Sequence, residues 1–331
     1  MTILLTGGAG FIGAATAERL LQRGERVTIL DNFNDYYPVQ LKRDRIARIA
    51  RFGDALSVQE IDFGDAAAVE VALAGIEIDR IVHLGAQAGV RYSLDNPLAY
   101  AASNLTGHLV ILELARHRGV RHMVYASSSS VYGNNAKVPF SADDPVDHPI
   151  SLYAATKRAD ELISDSYAHL YRIPLTGLRF FTVYGPWSRP DMMTWKCTEA
   201  VLAGRPIQVF NNGEMSRDFT YIDDIVTGVV AALDHPPADD GAAKPGGSHG
   251  PHALYNIGNN RPEPLMRLIA LIEDACGKKA AIDFRPMQPG DVARTYADID
   301  AIRRDLGYEP TTPIDVGIPA FVEWFRDYIR R

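Results

Sequence analysis

The stretch that most constrains this chain is residues 4–13, LLTGGAGFIG: an apolar run, four glycines within seven residues, then the start of a helical pattern. A strand, a glycine-rich turn and a helix N-terminus together make an anion cradle. Backbone N–H groups face the ligand there, and side chains would block its approach. The glycines fit two registers, G-x-G-x-x-G through Gly8, Gly10 and Gly13, or G-x-x-G-x-x-G through Gly7, Gly10 and Gly13. A lone glycine pattern is weak, but this one has context. Asp31 closes the next apolar run, about 20 residues on, where a carboxylate holds the ribose hydroxyls of a dinucleotide. A carboxylate there also repels a 2′-phosphate, which favours NAD over NADP.

The first half then alternates short apolar runs with helical patterns. TILLT, RVTIL, LSVQEID, IDRIVHL, VRHMVYASS and IPLTGLRF are separated by segments with helical periodicity, among them 11–23, 97–118 and 151–171. Continuously apolar strands separated by helices imply a parallel sheet covered on both faces, an α/β doubly wound fold. After about Phe181 the alternation breaks down, and Pro, Gly and aromatics appear in TVYGPWSRPDMM. The expectation is a nucleotide-binding domain over 1–181. Residues 182–331 form mainly a smaller substrate lobe, with some segments returning to the first domain. Residues 235–252, HPPADDGAAKPGGSHGPH, have little to bury and read as a flexible surface loop.

Composition limits the function. The net charge of −7 argues against DNA, RNA or an acidic membrane as partner. No apolar run approaches the ~20 residues of a membrane span, and the glycine loop begins too early for a signal peptide. Cys197 and Cys276 lie far apart with no C-x-x-C, so neither a disulfide framework nor a metal site is expected, and a reducing cytoplasm fits.

Cofactor binding does not name a reaction. SLYAATKRADEL places Tyr153 and Lys157 four apart on one helix face. A free Tyr, with pKa near ~10, is a poor base at neutral pH. A neighbouring ammonium favours the phenolate, which can then take a proton from a substrate hydroxyl. Such a pair alone also fits a solvated i,i+4 contact. The serine run at 127–130 lies at the end of the fifth apolar strand, on the edge where doubly wound sheets bind ligands. Any one of those serines also fits a turn or helix cap. His83, inside a strand, reads as a core residue, and Trp195 with Met192 and Met193 as lid or core packing.

TGGAGFIG, Asp31–Asn32, SSSSVYG and the Tyr153/Lys157 pair resemble the extended short-chain dehydrogenase/reductases that act on nucleotide sugars. Over nearly the whole chain, DNFNDYYPVQLKRDR, HLGAQAGVRYSLDNPLAY, LRFFTVYGPWSRPDMM, SRDFTYIDDIV and MQPGDV are similar to UDP-glucuronate 4-epimerases. The resemblance implies a Rossmann sheet, NAD as cofactor and a UDP-sugar substrate. It favours the Gly7 register, leaving Gly8 the less constrained glycine. Tyr153 is then the base, Lys157 orients the nicotinamide ribose, and Ser128 hydrogen-bonds the reacting 4-oxygen. Gly7, Gly10, Phe11, Ile12 and Gly13 cradle the pyrophosphate. Asp31 and Asn32 take the ribose, Asp62 the adenine, and Leu84, Ala86, Gln87 and Asn104 lie along the cofactor. Thr182 and Arg217 face the nucleotide sugar, with Arg217 on its pyrophosphate, and Asp291 takes the uridine ribose. Gln288 departs from galactose-type relatives, which place a second pyrophosphate arginine there; Arg285 and Arg294 are the nearby substitutes. The helices of 97–118 and 151–171 are implied to form a homodimer interface of four helices.

Reactions on this scaffold diverge after hydride leaves C4. A 4,6-dehydratase needs carboxyl acid/base groups after the catalytic Ser or Thr, and Ser129 and Ser130 stand there instead. A decarboxylase would carry Glu in that loop. Epimerisation remains, with no net redox. A 4-keto sugar acid loses CO₂ readily, so its carboxylate needs polar partners. Ser129, Ser130, Thr182 and Arg189 are the candidate holders, although Asp191 is also a ready ion-pair partner for Arg189. UDP-glucose or UDP-N-acetylglucosamine 4-epimerisation, and a non-catalytic member of the fold that binds NAD and a nucleotide sugar, remain the competing expectations.

Overall fold

The computed structural model describes residues 2–288 and 291–330. The first half runs β1 (Thr2–Thr6), α1 (Phe11–Gln22), β2 (Val27–Asp31), α2 (Val39–Ile49), β3 (Leu56–Glu60), α3 (Ala66–Ala72) and β4 (Ile78–His83). The helical pattern of 97–118 is not one continuous α-helix. Two single turns, α4 (Tyr92–Asp95) and α5 (Pro97–Tyr100), pass through a π-helical stretch, Ala101–Thr106, into α6 (Gly107–Arg118). There follow β5 (His122–Ser128), α7 (Leu152–Tyr171), β6 (Leu175–Phe180) and β7 (Thr182–Tyr184). The remainder holds α8 (Met193–Ala203), β8 (Ile207–Phe210), β9 (Ser216–Tyr221), α9 (Ile222–Asp234) and β10 (His252–Ile257). Last come β11 (Pro262–Pro264), α10 (Leu265–Cys276), β12 (Ile282–Arg285), α11 (Asp300–Leu306) and α12 (Ile314–Ile329).

Seven strands form a parallel sheet in the order β10-β6-β5-β4-β1-β2-β3. Every residue of β2, β6 and β10 is buried, as a sheet covered on both faces requires. Alternation within β1 divides the core. Ile3 and Leu5 pack with α1 and α9, and Leu4 packs with α3 and α6. Each such apolar side chain contributes about 2 kcal/mol on leaving water. Strand order reverses between β1 and β4, which opens a crevice at their carboxyl ends.

Two small sheets, β11-β9-β7 and β12-β8, sit with α8, α10 and α12 around a separate apolar cluster that includes Trp195, Val209, Ile272 and Phe325. β10 pairs with β6 from His252↔Leu175 to Ile257↔Phe180, so a strand from late in the chain closes the large sheet. The segment before it has a defined path. Lys244 N donates to Ser248 O, Gly246 N to the Asp143 carboxylate and Leu254 N to Pro245 O, each at 2.8 Å. Cys197 and Cys276 are buried and unpaired. Among the described residues no cluster of His, Cys, Asp or Glu is disposed to hold a metal ion.

Candidate active site

A cleft of about 860 Å³ runs along the carboxyl ends of the central strands. Its floor is the glycine turn. Gly7 has φ +68°, and a Cβ there would stand 2.7 Å from the Gly85 backbone; a Cβ on Gly13 would stand 2.1 Å from the Gly7 carbonyl oxygen. Gly8 is the less constrained of the three but not open: a Cβ there would meet the Ile29 side chain of β2 at 2.5 Å, whereas backbone atoms close off Gly7 and Gly13. α1 starts with no side-chain cap and no acidic residue in its first turn, so its leading N–H groups are left for a ligand. Phe11, Ile12, Asn32, Leu84, Ala86 and Gln87 complete this wall. The cradle fits the pyrophosphate and riboses of NAD.

The acidic residues beside it also shape the turn. The Asp31 carboxylate accepts Ala9 N at 3.0 Å and Phe33 N at 2.9 Å. Asp62 stands outside the cleft lining, where its carboxylate accepts from Asn32 Nδ2 at 3.2 Å and Gly64 N at 2.8 Å. Asn104 lies one layer behind. Fully buried in the π stretch, it bonds Gln87 N at 2.8 Å, Gln87 O at 3.2 Å and Thr156 Oγ1 at 3.0 Å, and so braces the Gln87 backbone.

The residues expected to transfer the proton line the cleft from β5 and α7. Ser151 caps α7 by accepting Ala154 N at 3.1 Å, and Tyr153 and Lys157 project from the first turns. The Tyr153 ring packs edge-on to Tyr100, 6.0 Å between centroids. Lys157 Nζ donates to Ala126 O at 2.9 Å and to Asp160 at 3.1 Å. The four serines divide their work. Ser127 is consumed by Glu161, which is itself held by Arg179. Ser128 Oγ accepts Ser130 N at 3.1 Å, capping the following turn while facing the cleft with Ser129 and Ser130. His83 is buried, bonded to Thr6 Oγ1 at 2.7 Å, and pushed down to about 3 by burial and by the Lys157 charge.

Of the residues expected to meet the substrate, Thr182, Arg189 and Asp291 also line the cleft. The Arg189 guanidinium grips both Asp191 oxygens at 2.9 Å, and Tyr36 OH donates to the same carboxylate at 3.3 Å. Burial raises the Asp191 carboxyl, but Arg189 outweighs it and holds the group below its usual range. Asp291 accepts from Arg91 Nη2 at 2.9 Å, and Arg91 lies over the Phe210 ring. Arg217 is not brought into the cleft lining. Its guanidinium donates to the carbonyls of Ser216 and Ala293, pinning β9 to the segment after Asp291. Gln288 accepts Asp291 N through its backbone, Arg285 pairs with Asp283, and Arg294 lies over Tyr296.

Two features escape a sequence reading. Arg91, Lys196 and Arg205 line the cleft from separate elements, with no shared motif to announce them. Arg45, wholly buried, donates to Ala9 O, Tyr37 OH, Trp187 O and Ser188 O. It bolts the glycine turn to the segment that carries Arg189, yet in sequence it looks like one cation among many on a basic helix.

Similarity to known proteins agrees with this geometry. The NAD dependent epimerase/dehydratase family matches residues 3–258. A probable UDP-glucuronate 4-epimerase from Rhizobium meliloti is 44% identical, over 100% of this chain and 98% of that protein. UDP-glucuronate 4-epimerase 4 of Arabidopsis thaliana is 45% identical, over 99% of this chain and 76% of its own length. The crystal structure of UDP-glucuronic acid 4-epimerase from Bacillus cereus in complex with UDP-glucuronic acid and NAD superposes with a TM-score of 0.87 at 30% identity, covering 99% of this chain and 100% of that one. A cradle shaped for NAD beside a Tyr–Lys pair, and matches that span the chain, make this protein a member of the NAD dependent epimerase/dehydratase family.

Proposed function

We propose that this protein interconverts UDP-glucuronate and UDP-galacturonate by epimerisation at C4. One observation carries the reading: the serine turn facing Tyr153 holds no carboxyl acid, and hydroxyl and guanidinium donors from Ser129, Ser130, Thr182 and Arg189 line the same cleft. Tyr153 takes the proton of the sugar 4-hydroxyl, and Ser128 donates to the oxygen as it becomes a carbonyl. Bound NAD supplies a reversible hydride acceptor held by Gly7, Gly10, Gly13, Asp31 and Asn32. Lys157 would hold the nicotinamide ribose, and its positive charge, one helical turn from Tyr153, would favour the phenolate. The 4-keto sugar turns over in the cleft, and Tyr153 returns the proton to the epimeric oxygen.

Ser129, Ser130, Thr182 and Arg189 hold the sugar carboxylate ionised and hydrogen-bonded, which disfavours loss of CO₂. Arg189 does so from its fork on Asp191, whose two oxygens fix the guanidinium plane. Asp291 takes the uridine ribose. Arg91, already beside Asp291, supplies diphosphate-neutralising charge at the end where Gln288 lacks it. Arg217 joins by exchanging its two carbonyl bonds for a phosphate.

The reading includes a homodimer. Leu98, Ala102 and Leu109 recur at helical spacing as an exposed stripe, and Leu152 and Leu162 are exposed on the neighbouring α7. Unpaired Cys197 and Cys276 support a reducing, cytoplasmic setting, and no helix among the described residues is long and apolar enough to cross a membrane. Purified protein given UDP-glucuronate without added oxidant is expected to form UDP-galacturonate, resolved by chromatography. Conversion of UDP-glucose or UDP-N-acetylglucosamine with no action on UDP-glucuronate would overturn the substrate assignment.

A further inference from the structure

The geometry points to Asp160 as a positioning residue that sets the pH at which Tyr153 exchanges its proton, acting through Lys157. The inference rests on the reading of Tyr153 as the base. Residues 153, 157 and 160 follow an i, i+4, i+7 spacing and so share one face of α7. The Lys157 ammonium and the Asp160 carboxylate are 3.1 Å apart, with side chains only 4% and 1% exposed. So little water screens them that each charge strongly sets the field of the other. Lys157 favours the Tyr153 phenolate only by what remains of its positive field after Asp160 has opposed it.

The next residue sharpens the contrast. Glu161 is equally buried, and its carboxylate is satisfied by Ser127, Arg179 and Arg158, as a structural ion pair should be. Among the described residues the Asp160 carboxylate bonds only Lys157, and its Oδ1 is buried with no hydrogen-bond partner. A merely structural carboxylate has no need of that cost. The other titratable groups near this face are neutral or matched. Burial and the Lys157 charge hold His83 of β4 and His108 of α6 unprotonated. Burial holds Tyr125 of β5 and Tyr100 of α5 protonated. Arg179 of β6 and Arg158 of α7 pair with Glu161. Burial also lifts Asp160 to about 6. As pH falls it gains a proton, and its opposition to Lys157 disappears where Tyr153 most needs the positive field.

Asp160→Asn keeps the size and removes the charge. The test titrates the holoenzyme by the ultraviolet absorbance of phenolate, taking each protein minus its own Tyr153→Phe version. The Tyr153 midpoint in Asp160→Asn is expected about one pH unit lower than in wild type. The acid limb of kcat for UDP-glucuronate shifts the same way, and KM stays within about twofold. Asp160→Gly, which removes the charge and admits water, is expected to give the same shift and serves if the asparagine variant does not fold. Coincident midpoints in the folded variant overturn the inference, whatever its thermal stability. The phenolate titration needs no substrate. Failure of wild type to turn over UDP-glucuronate would count against the substrate assignment and leave the Asp160 result standing on its own.

Discussion

Arg189 has its Nε and Nη2 on the two Asp191 oxygens, so its guanidinium plane is fixed before any sugar arrives. Arg189→Ala removes a charge-assisted fork and leaves the partly buried Asp191 without it. In the proposed reaction it is expected to lower kcat/KM for UDP-glucuronate by about 10–100-fold and to release some UDP-pentose, which chromatography separates. Unchanged turnover with no pentose would remove Arg189 from the carboxylate site. Tyr153→Phe is expected to cost about 100–10,000-fold in kcat while the bound NAD content, read by its absorbance after denaturation, stays that of wild type. Residues of this kind are legible in a sequence because their chemistry is written in local spacing: Tyr153 and Lys157 in one helical turn, Arg189 in a short Pro-flanked motif. Arg45 and Arg91 are not, since each works through partners roughly 100 to 200 residues away that only the fold brings near.

Elements show the same division. Most strands of the large sheet, with α1 and α7, announce themselves by apolar runs and helical periodicity, and α7 begins at Leu152, one residue from the expected start of its helical pattern. The π stretch Ala101–Thr106 does not, since widening by one residue per turn leaves the composition helical while rotating Asn104 inward. β8, β11 and β12 are three or four residues long, too short for alternation to register, and β12 finds β8 across more than 70 residues, at Ile282↔Ile207. The glycine turn is the element most exposed to a single change. Gly13→Ala places a methyl 2.1 Å from the Gly7 oxygen, so α1 must move off β1. The expected result is a loss of about 1–3 kcal/mol of stability together with a larger loss of NAD affinity, measured by denaturation with and without NAD. Wild-type affinity for NAD in that variant would contradict the packing described here.

At the scale of the molecule, buried histidines set the acid response. His83 and His122 are pushed down to about 3 and about 4 from 6.5, and His108 well below it, in each case chiefly by burial. The unfolded chain therefore binds protons below pH 6.5 that the fold refuses, and stability falls with pH at about 1 kcal/mol per unit for each histidine. Asp160 and Asp218, raised by burial to about 6, act in the opposite sense below that value and offset two of the three. Denaturant midpoints are expected to decline as pH drops below 6.5, most steeply before the carboxyls begin to gain protons; a rise across that range would contradict the burial argument. The exposed leucine stripes make a separate prediction. Leu98→Arg is expected to convert a dimer into a monomer in light scattering, whereas a wild-type monomer would refute the dimer.

In the proposed reaction one hydride leaves C4 and returns to the same carbon while the carboxylate stays attached. UDP-glucuronate deuterated at C4, incubated with the purified protein and no added cofactor, tests it directly by mass and NMR analysis of the products. The expected product is UDP-galacturonate with deuterium retained at C4. Loss of the label to solvent, or a UDP-pentose as the main product, would contradict it.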